Sequence, residues 1–442
     1  MYDTISPPRI FVCTDIDRDP DAQIRAERII GTYPESQVIR YGPADLPELM
    51  LKYGIGTKRP RMGMGGVETP DLLLTCARFT GPYGGEQELE DIIAANPDAD
   101  ARMVKFLFGL YPWHDVGLGG KDHTGKIQMW GGQICRPAWR LNTMLGCPHH
   151  CAYCNFGELI PIYVNIREYC RHLTELMAAN DWQKTYLYDD ASEALYPEPE
   201  LGAVEGFIDS CKQFPDRYLI IHTKSANVAF LEGIDHQGRC IMTWSLTSQL
   251  QSTTAERLSA TMEERIEAIR KVASWGYPAR VKFKPIVPFK GWRDHARDMI
   301  RDLLTTAKLD NISLFTIAWM DVDVLKACFD VNLLDPEFLA EAERTKEEMA
   351  PRSTRPYPQH VRAEIYRFYL EEIRKYDADV PVTLCTEDLD MWNEMGSLVG
   401  QKPNSFVCGC GPMATPGLTC LPTDPWADAK PVSVWETAGI RA

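Results

Sequence analysis

The stretch "NTMLGCPHHCAYCNFG", Asn142–Gly157, sets Cys147, Cys151 and Cys154 in the spacing C-x3-C-x2-C. A structural zinc site uses four ligands, commonly as two separated CxxC pairs, and here no fourth cysteine follows closely. Thiolates also hold iron–sulfur clusters. A cubane has four irons, so three thiolates leave one iron open to another ligand. A zinc site completed by His149 or His150, or three unrelated thiols, are the competing readings. Spacing and chain context favour the cubane.

That context is a regular alternation beginning at Pro137. "AWRLNTML" reads as a strand, followed by the cysteine loop and the helical "VNIREYCRHLTELMAAN". Five further strands are predicted: "KTYLYDD" (Lys184–Asp190), "RYLIIHTKS" (Arg217–Ser225), "RCIMTWSLTS" (Arg239–Ser248), "ARVKFKPIVP" (Ala279–Pro288) and "NISLFTIAW" (Asn311–Trp319). Helical segments separate most of them; in "TMEERIEAIRKVASWG", Thr261 and Glu264 have capping-box spacing ahead of an apolar stripe through Met262, Ile266, Ile269 and Ala273. Strands alternating with helices imply a parallel sheet. Six such units predict a partial (β/α)6 TIM-like barrel, with active groups at the C-terminal ends of strands. The cysteine loop falls at such an end.

Three regions are expected: an N-terminal α/β unit over 1–130, the barrel over 131–379, and a Cys-rich C-terminal extension over 380–442. In the first, "RIFVCTDI" (Arg9–Ile16) reads as a strand and "DAQIRAERII" (Asp21–Ile30) as a helix. The glycine-rich pieces "GTKRPRMGMGGVETP", "TGPYGGEQ" and "GLGGKDHTG" do not match GxxxxGK[ST] and read as connections.

At 442 residues, with 45% hydrophobic and 25% charged residues, the composition is that of a globular protein. No apolar run has the length of a membrane span, and the start lacks a basic n-region and an apolar h-region. The expected location is therefore cytoplasmic, where thiols stay reduced, so the 14 cysteines suggest metal ligands and core residues rather than disulfides. A net charge of −15 argues against a nucleic-acid partner. The densest basic run, Lys52–Arg61, reads as solvated surface.

The C-x3-C-x2-C loop after the first strand of a β/α repeat resembles the signature of radical S-adenosylmethionine (SAM) enzymes. The stretches "LGCPHHCAYC", "PIYVNIREY", "IIHTKSANVAFLEGIDHQGRC", "TWSLTS" and "ERIEAIRKVASWGYPARVKFKPIVPFKGW" resemble the spore photoproduct lyase branch of that superfamily. The resemblance implies a 4Fe-4S cluster on Cys147, Cys151 and Cys154. It implies SAM on the open iron, Lys224 against the SAM carboxylate, Ser245 as a further SAM contact, and Tyr153 near adenine. An external electron donor of the flavodoxin or ferredoxin type completes the set of partners.

Two departures set this chain apart. The position matching the lyase family's hydrogen-donating cysteine is about Ala191, and Asn155 stands where that family's relay tyrosine is expected. The same neighbourhood is acidic: Asp189, Asp190 and Glu193 are read as groups that attract an ammonium or act as acid or base. For Glu198–Asp209 that role stands nearly even with the bland alternative, a solvated loop and a helix N-terminus enriched in acids. In the tail, Cys385, Cys408, Cys410 and Cys420 are candidates for a second iron–sulfur cluster or a zinc ion, with Cys410 or Cys420 as a hydrogen-donating thiol the alternative. The expected reaction is hydrogen abstraction from a small cationic aminosugar of the aminoglycoside type, with dehydration, deoxygenation or epimerisation following. The rivals are DNA lesion repair, which requires a basic groove, and radical modification of a peptide or protein.

Overall fold

The computed structural model describes residues 5–55, 69–79, 94, 101–117, 128–129, 133–155, 159–350, 355–422 and 430–432. The three glycine-rich stretches lie mostly outside them. No helix among the described residues is long and apolar enough to cross a membrane.

Two sheets organise the chain. The smaller has four parallel strands in the order β2 (Gln37–Tyr41), β1 (Arg9–Cys13), β3 (Asp71–Thr75), β8 (Leu159–Tyr163). The larger runs β14 (Val382–Leu384), β13 (Asn311–Thr316), β12 (Ala279–Ile286), β11 (Cys240–Leu246), β10 (Tyr218–Thr223), β9 (Thr185–Tyr188), β7 (Ala138–Leu141), β4 (Trp113–Val116). All its neighbours are parallel except β4, which pairs antiparallel with β7 at the edge. A two-stranded hairpin, β5 (Gln128–Met129) and β6 (Gln133–Ile134), stands apart.

The six strands expected after Pro137 are β7 and β9–β13, and β14 adds a seventh parallel strand from the stretch that composition assigns to the tail. The ends of the sheet do not pair, so the barrel stays open. Strands are exchanged across the boundary expected near 130: β4 joins the barrel sheet, and β8 joins the N-terminal sheet.

Alternation along a strand sorts its side chains onto two faces. On β12, Lys282 and Lys284 line the lumen, while Phe283 packs edge-on against Tyr369 of the helix Gln359–Arg374, with ring centroids 5.3 Å apart. The helix Met262–Ser274 begins with the expected box: Glu264 N–H donates to Thr261 Oγ1 at 3.3 Å, and Thr261 N–H donates to Glu264 Oε2 at 2.7 Å.

The segment after the helix Leu389–Val399 returns beneath the starts of the strands. Lys184 N–H donates to the Pro412 carbonyl at 2.7 Å, Asn311 Nδ2 to that of Val407 at 3.2 Å, and Arg280 Nη2 to that of Ala414 at 2.6 Å. Residues 407–414 thus close the N-terminal end of the lumen.

Candidate active site

The cysteine loop is an excursion pinned at its base. Tyr163 N–H donates to the Thr143 carbonyl at 2.7 Å and Leu145 N–H to that of Pro161 at 3.3 Å. Gly146, at φ +90°, sits where the loop leaves this pair, and a side chain there would collide with the Leu159 carbonyl. Cys147, Cys151 and Cys154 follow within one turn-rich loop, in which Cys154 N–H donates to the Cys151 carbonyl at 2.9 Å. Burial, then the neighbouring thiols and Glu193, push the Cys147 thiol well up; burial likewise holds Cys151 up at about 11. A bound cation is what such thiols need to ionise, so the loop fits a metal cluster. Among the described residues, no three His, Cys, Asp or Glu side chains converge tightly enough to hold one metal ion. A cubane spreads its thiolates wider than a single ion does.

Beside the loop lies a buried charge cluster. Lys224 Nζ is 3.7 Å from Cys151 Sγ and 2.8 Å from Glu256 Oε1, and it also bonds the Tyr153 hydroxyl. Glu256 is fully buried and further accepts from Arg265 (2.7 Å), Thr247 (3.0 Å) and the Tyr153 hydroxyl. Burial alone would raise its carboxyl, but Lys224 and Arg265 outweigh that and hold it at about 2. The Tyr153 ring stacks near Phe329, with centroids 5.8 Å apart. Ser245 lies at the end of β11, and its carbonyl accepts from Arg265 Nη1 at 2.9 Å.

The three acids expected to form the mouth take different places. Asp189 is fully buried and accepts from Thr143 N–H (2.8 Å), Thr143 Oγ1 (2.8 Å) and Met144 N–H (3.1 Å), so it braces the strand that leads into the cysteine loop. Burial pushes its carboxyl up to about 7. Glu193, also buried, accepts from Thr223 Oγ1 (2.5 Å) and Lys224 N–H (2.9 Å), with His149 Nδ1 3.5 Å away. Only Asp190 lines the lumen, and there it is paired with Arg140. Glu198 caps the helix Ala203–Lys212, accepting from the N–H groups of Gly202, Ala203 and Val204 at 2.9–3.0 Å.

The lumen holds a cavity of about 490 Å3. Its charged lining is Arg102, Arg140, Lys282 and Lys284 against Asp115 and Asp190, which corrects the expectation of an acidic mouth. Neither Lys282 nor Lys284 makes an ion pair with a carboxylate among the described residues; Lys284 Nζ instead lies over the rings of Phe315 (4.8 Å) and Trp319 (5.1 Å). His222 also faces the cavity. Burial drives its imidazole well below the usual range, its ring bonds the Gly409 backbone, and its buried Nε2 has no hydrogen-bond partner. The ring is therefore neutral and presents a lone pair to the lumen.

Residues 137–320 match the family described as "Spore photoproduct lyase". The fold matches spore photoproduct lyase structures over 86% of this chain and 98% of theirs. A point variant of that enzyme aligns with a TM-score of 0.57 at 13% identity, and the enzyme complexed with dinucleoside spore photoproduct with 0.55 at 12%. A variant with bound AdoMet and dinucleoside spore photoproduct gives 0.53 at 12%. Residues 137–320 thus resemble the spore photoproduct lyase family, and the chain shares the fold of that enzyme. No curated protein matches its sequence.

Within this open barrel, Ala191 lines the cavity at the place where the sequence resemblance expects a thiol, and the thiols that do line it are Cys135, Cys385 and Cys410. Cys420 is exposed and bonds the carbonyls of Ser405 and Leu421, so it does not join the set expected from the tail. Cys135 lies beside Cys385 and Cys410 on the cavity wall. Glu256, His222, Lys282, Lys284 and Cys135 carry no motif. The signal available for the two lysines was their period-2 spacing, shared with Arg280, on a strand otherwise apolar.

Proposed function

We propose that this enzyme removes a hydrogen atom from a small substrate bearing an anionic group, enclosed in the lumen between the cysteine loop and residues 407–414. The observation that supports this is the cationic lining of the cavity, above all Lys284, half-buried and without a carboxylate partner among the described residues. Cys147, Cys151 and Cys154 would hold the cluster, and Lys224, Tyr153 and Ser245 would face SAM. Together, cluster and SAM supply a 5′-deoxyadenosyl radical, the chemistry that no side chain can provide.

The chain's own residues do the rest. Lys284 and Arg102 attract and orient the anionic group. Asp190 stays ionised: burial opposes this, but Arg140 and His114 outweigh it. It therefore accepts hydrogen bonds from a substrate hydroxyl rather than donating one. His222 Nε2 is the group able to take a proton from a radical whose α-hydroxyl has become acidic, as dehydration or epimerisation requires. An aminosugar, the substrate expected from the sequence, would bring its ammonium groups against Lys282 and Lys284.

The test is a substrate panel. Reduced, reconstituted enzyme with SAM is incubated with sugar phosphates, sugar acids, aminosugars, dinucleotide thymine lesions and peptides, and 5′-deoxyadenosine is measured. Stimulation by anionic sugars, abolished in Lys284→Met without loss of iron, supports the reading. Stimulation confined to aminosugars, lesions or peptides overturns it.

A further inference from the structure

Four cysteines from three separate parts of the chain come together along and beneath the lumen. Cys135 lies between β6 and β7, Cys385 directly follows β14, and Cys408 and Cys410 ride on the segment beneath the strand starts. Cys135, Cys385 and Cys410 line one cavity, and the Cys408 and Cys410 thiols are hydrogen-bonded to each other. We propose that these four thiolates hold a second iron–sulfur cluster, a cubane separate from that of the Cys147 loop.

The surroundings of these thiols set them apart from ordinary core cysteines. Cys240 is buried with the Met242 sulfur as its side-chain contact. These four cysteines instead lie near cations: the Lys282 ammonium bonds Cys410, and Arg140 and Lys284 line the cavity that Cys135, Cys385 and Cys410 share. A cubane with four thiolates carries net negative charge, and buried charge requires such compensation.

Local sequence brings the pair into place. In "CGCG", Cys408–Gly411, a Cβ on Gly409 would lie 2.8 Å from Lys282 Cε, and one on Gly411 would lie 3.0 Å from Cys408 Sγ. Alternating glycines let the backbone press into the lumen with only the two thiols projecting. A cluster also suits the spacing better than zinc does. The thiols do not converge tightly enough for one ion, whereas a cubane reaches each ligand through a different iron.

The proposal is independent of the substrate reading, because its test counts metal. Full-length protein is reconstituted anaerobically with iron and sulfide. Wild type is expected to hold about eight irons, and the Cys147→Ala/Cys151→Ala/Cys154→Ala variant about four. Cys135→Ser/Cys385→Ser/Cys410→Ser is expected to hold about four, and its electron paramagnetic resonance signal, unlike that of the other variant, should shift on adding SAM. Cys420→Ser leaves the count unchanged. About four irons in wild type, with almost none left when the Cys147 loop is stripped, would overturn the proposal; so would zinc recovered with the four lumen thiols. The wild-type count decides the matter even if a variant fails to fold.

Discussion

Glu256→Gln keeps the shape of the buried side chain and removes its charge. In the wild type, one carboxylate with no solvent exposure faces Lys224 at 2.8 Å and Arg265 at 2.7 Å, with Thr247 and Tyr153 filling its remaining acceptor positions. The variant leaves two cations buried against a neutral amide, a situation that typically costs about 3–5 kcal/mol. The pKa gives an independent figure: a carboxyl held at about 2 lies roughly two units below its ordinary value, worth about 3 kcal/mol. With a urea m value near 3 kcal/mol per M, the midpoint should fall by about 1–1.7 M. The sign with pH follows from the depressed value. The stabilisation is complete above the unfolded pKa, near 4, and is lost as the pH falls toward 2, so wild type and variant should converge in acid. Adding Lys224→Met removes one of the two stranded cations and should recover part of the loss. A Glu256→Gln midpoint equal to that of wild type at pH 7 would refute this account of the cluster.

Two further outcomes follow from the site. Gly146→Ala forces a Cβ into the Leu159 carbonyl at a backbone φ of +90°; the loop must shift, and iron content after reconstitution should fall to a small fraction of wild type with the barrel's far-UV dichroism retained. Full iron loading would show that the loop base is not fixed there. Asp189, held at about 7 by burial, keeps its proton in the folded chain while the unfolded chain loses it near pH 4. Stability is therefore complete below pH 4 and declines as pH rises to 7, by up to about 4 kcal/mol. Asp189→Asn retains an acceptor for the Thr143 and Met144 N–H groups and should flatten that slope in urea midpoints, where an unaltered slope would show that Asp189 does not cause it.

The barrel was legible because its strands repeat one pattern, and the Cys147 loop stood out because its three cysteines lie close together in the sequence. β8, "LIPIY", escaped the reading because it follows the cysteine loop directly and pairs with β3, a partner set by the N-terminal unit rather than by the alternation. The acidic run of Asp189–Glu193 was visible as charge, but charge does not tell direction. Asp189 and Glu193 turn to backbone N–H groups, and Asp190 turns to Arg140. Cys135 and Cys420 show the same limit: nearness in sequence favoured Cys420, whereas the sheet places Cys135, far away in sequence, opposite Cys410.

β12 ties these parts together. Its lumen-facing residues are three cations at successive levels, each with a different neighbour. At the bottom, Arg280 binds Asp310 at 2.6 Å and the Ala414 carbonyl, and so fixes the segment that closes the lumen. One step up, Lys282 meets the Cys410 thiol on that segment. Two residues further, Lys284 lies over Phe315 and Trp319 in the cavity proper. Because strand geometry fixes the spacing at about 6–7 Å per pair of residues, the anchor, the thiol neighbour and the cavity-facing charge are held in one rigid column. A change at Arg280 that loosens residues 407–414 should therefore move Cys410 and Lys282 together while leaving the Cys147 loop, at the other end of the strands, in place.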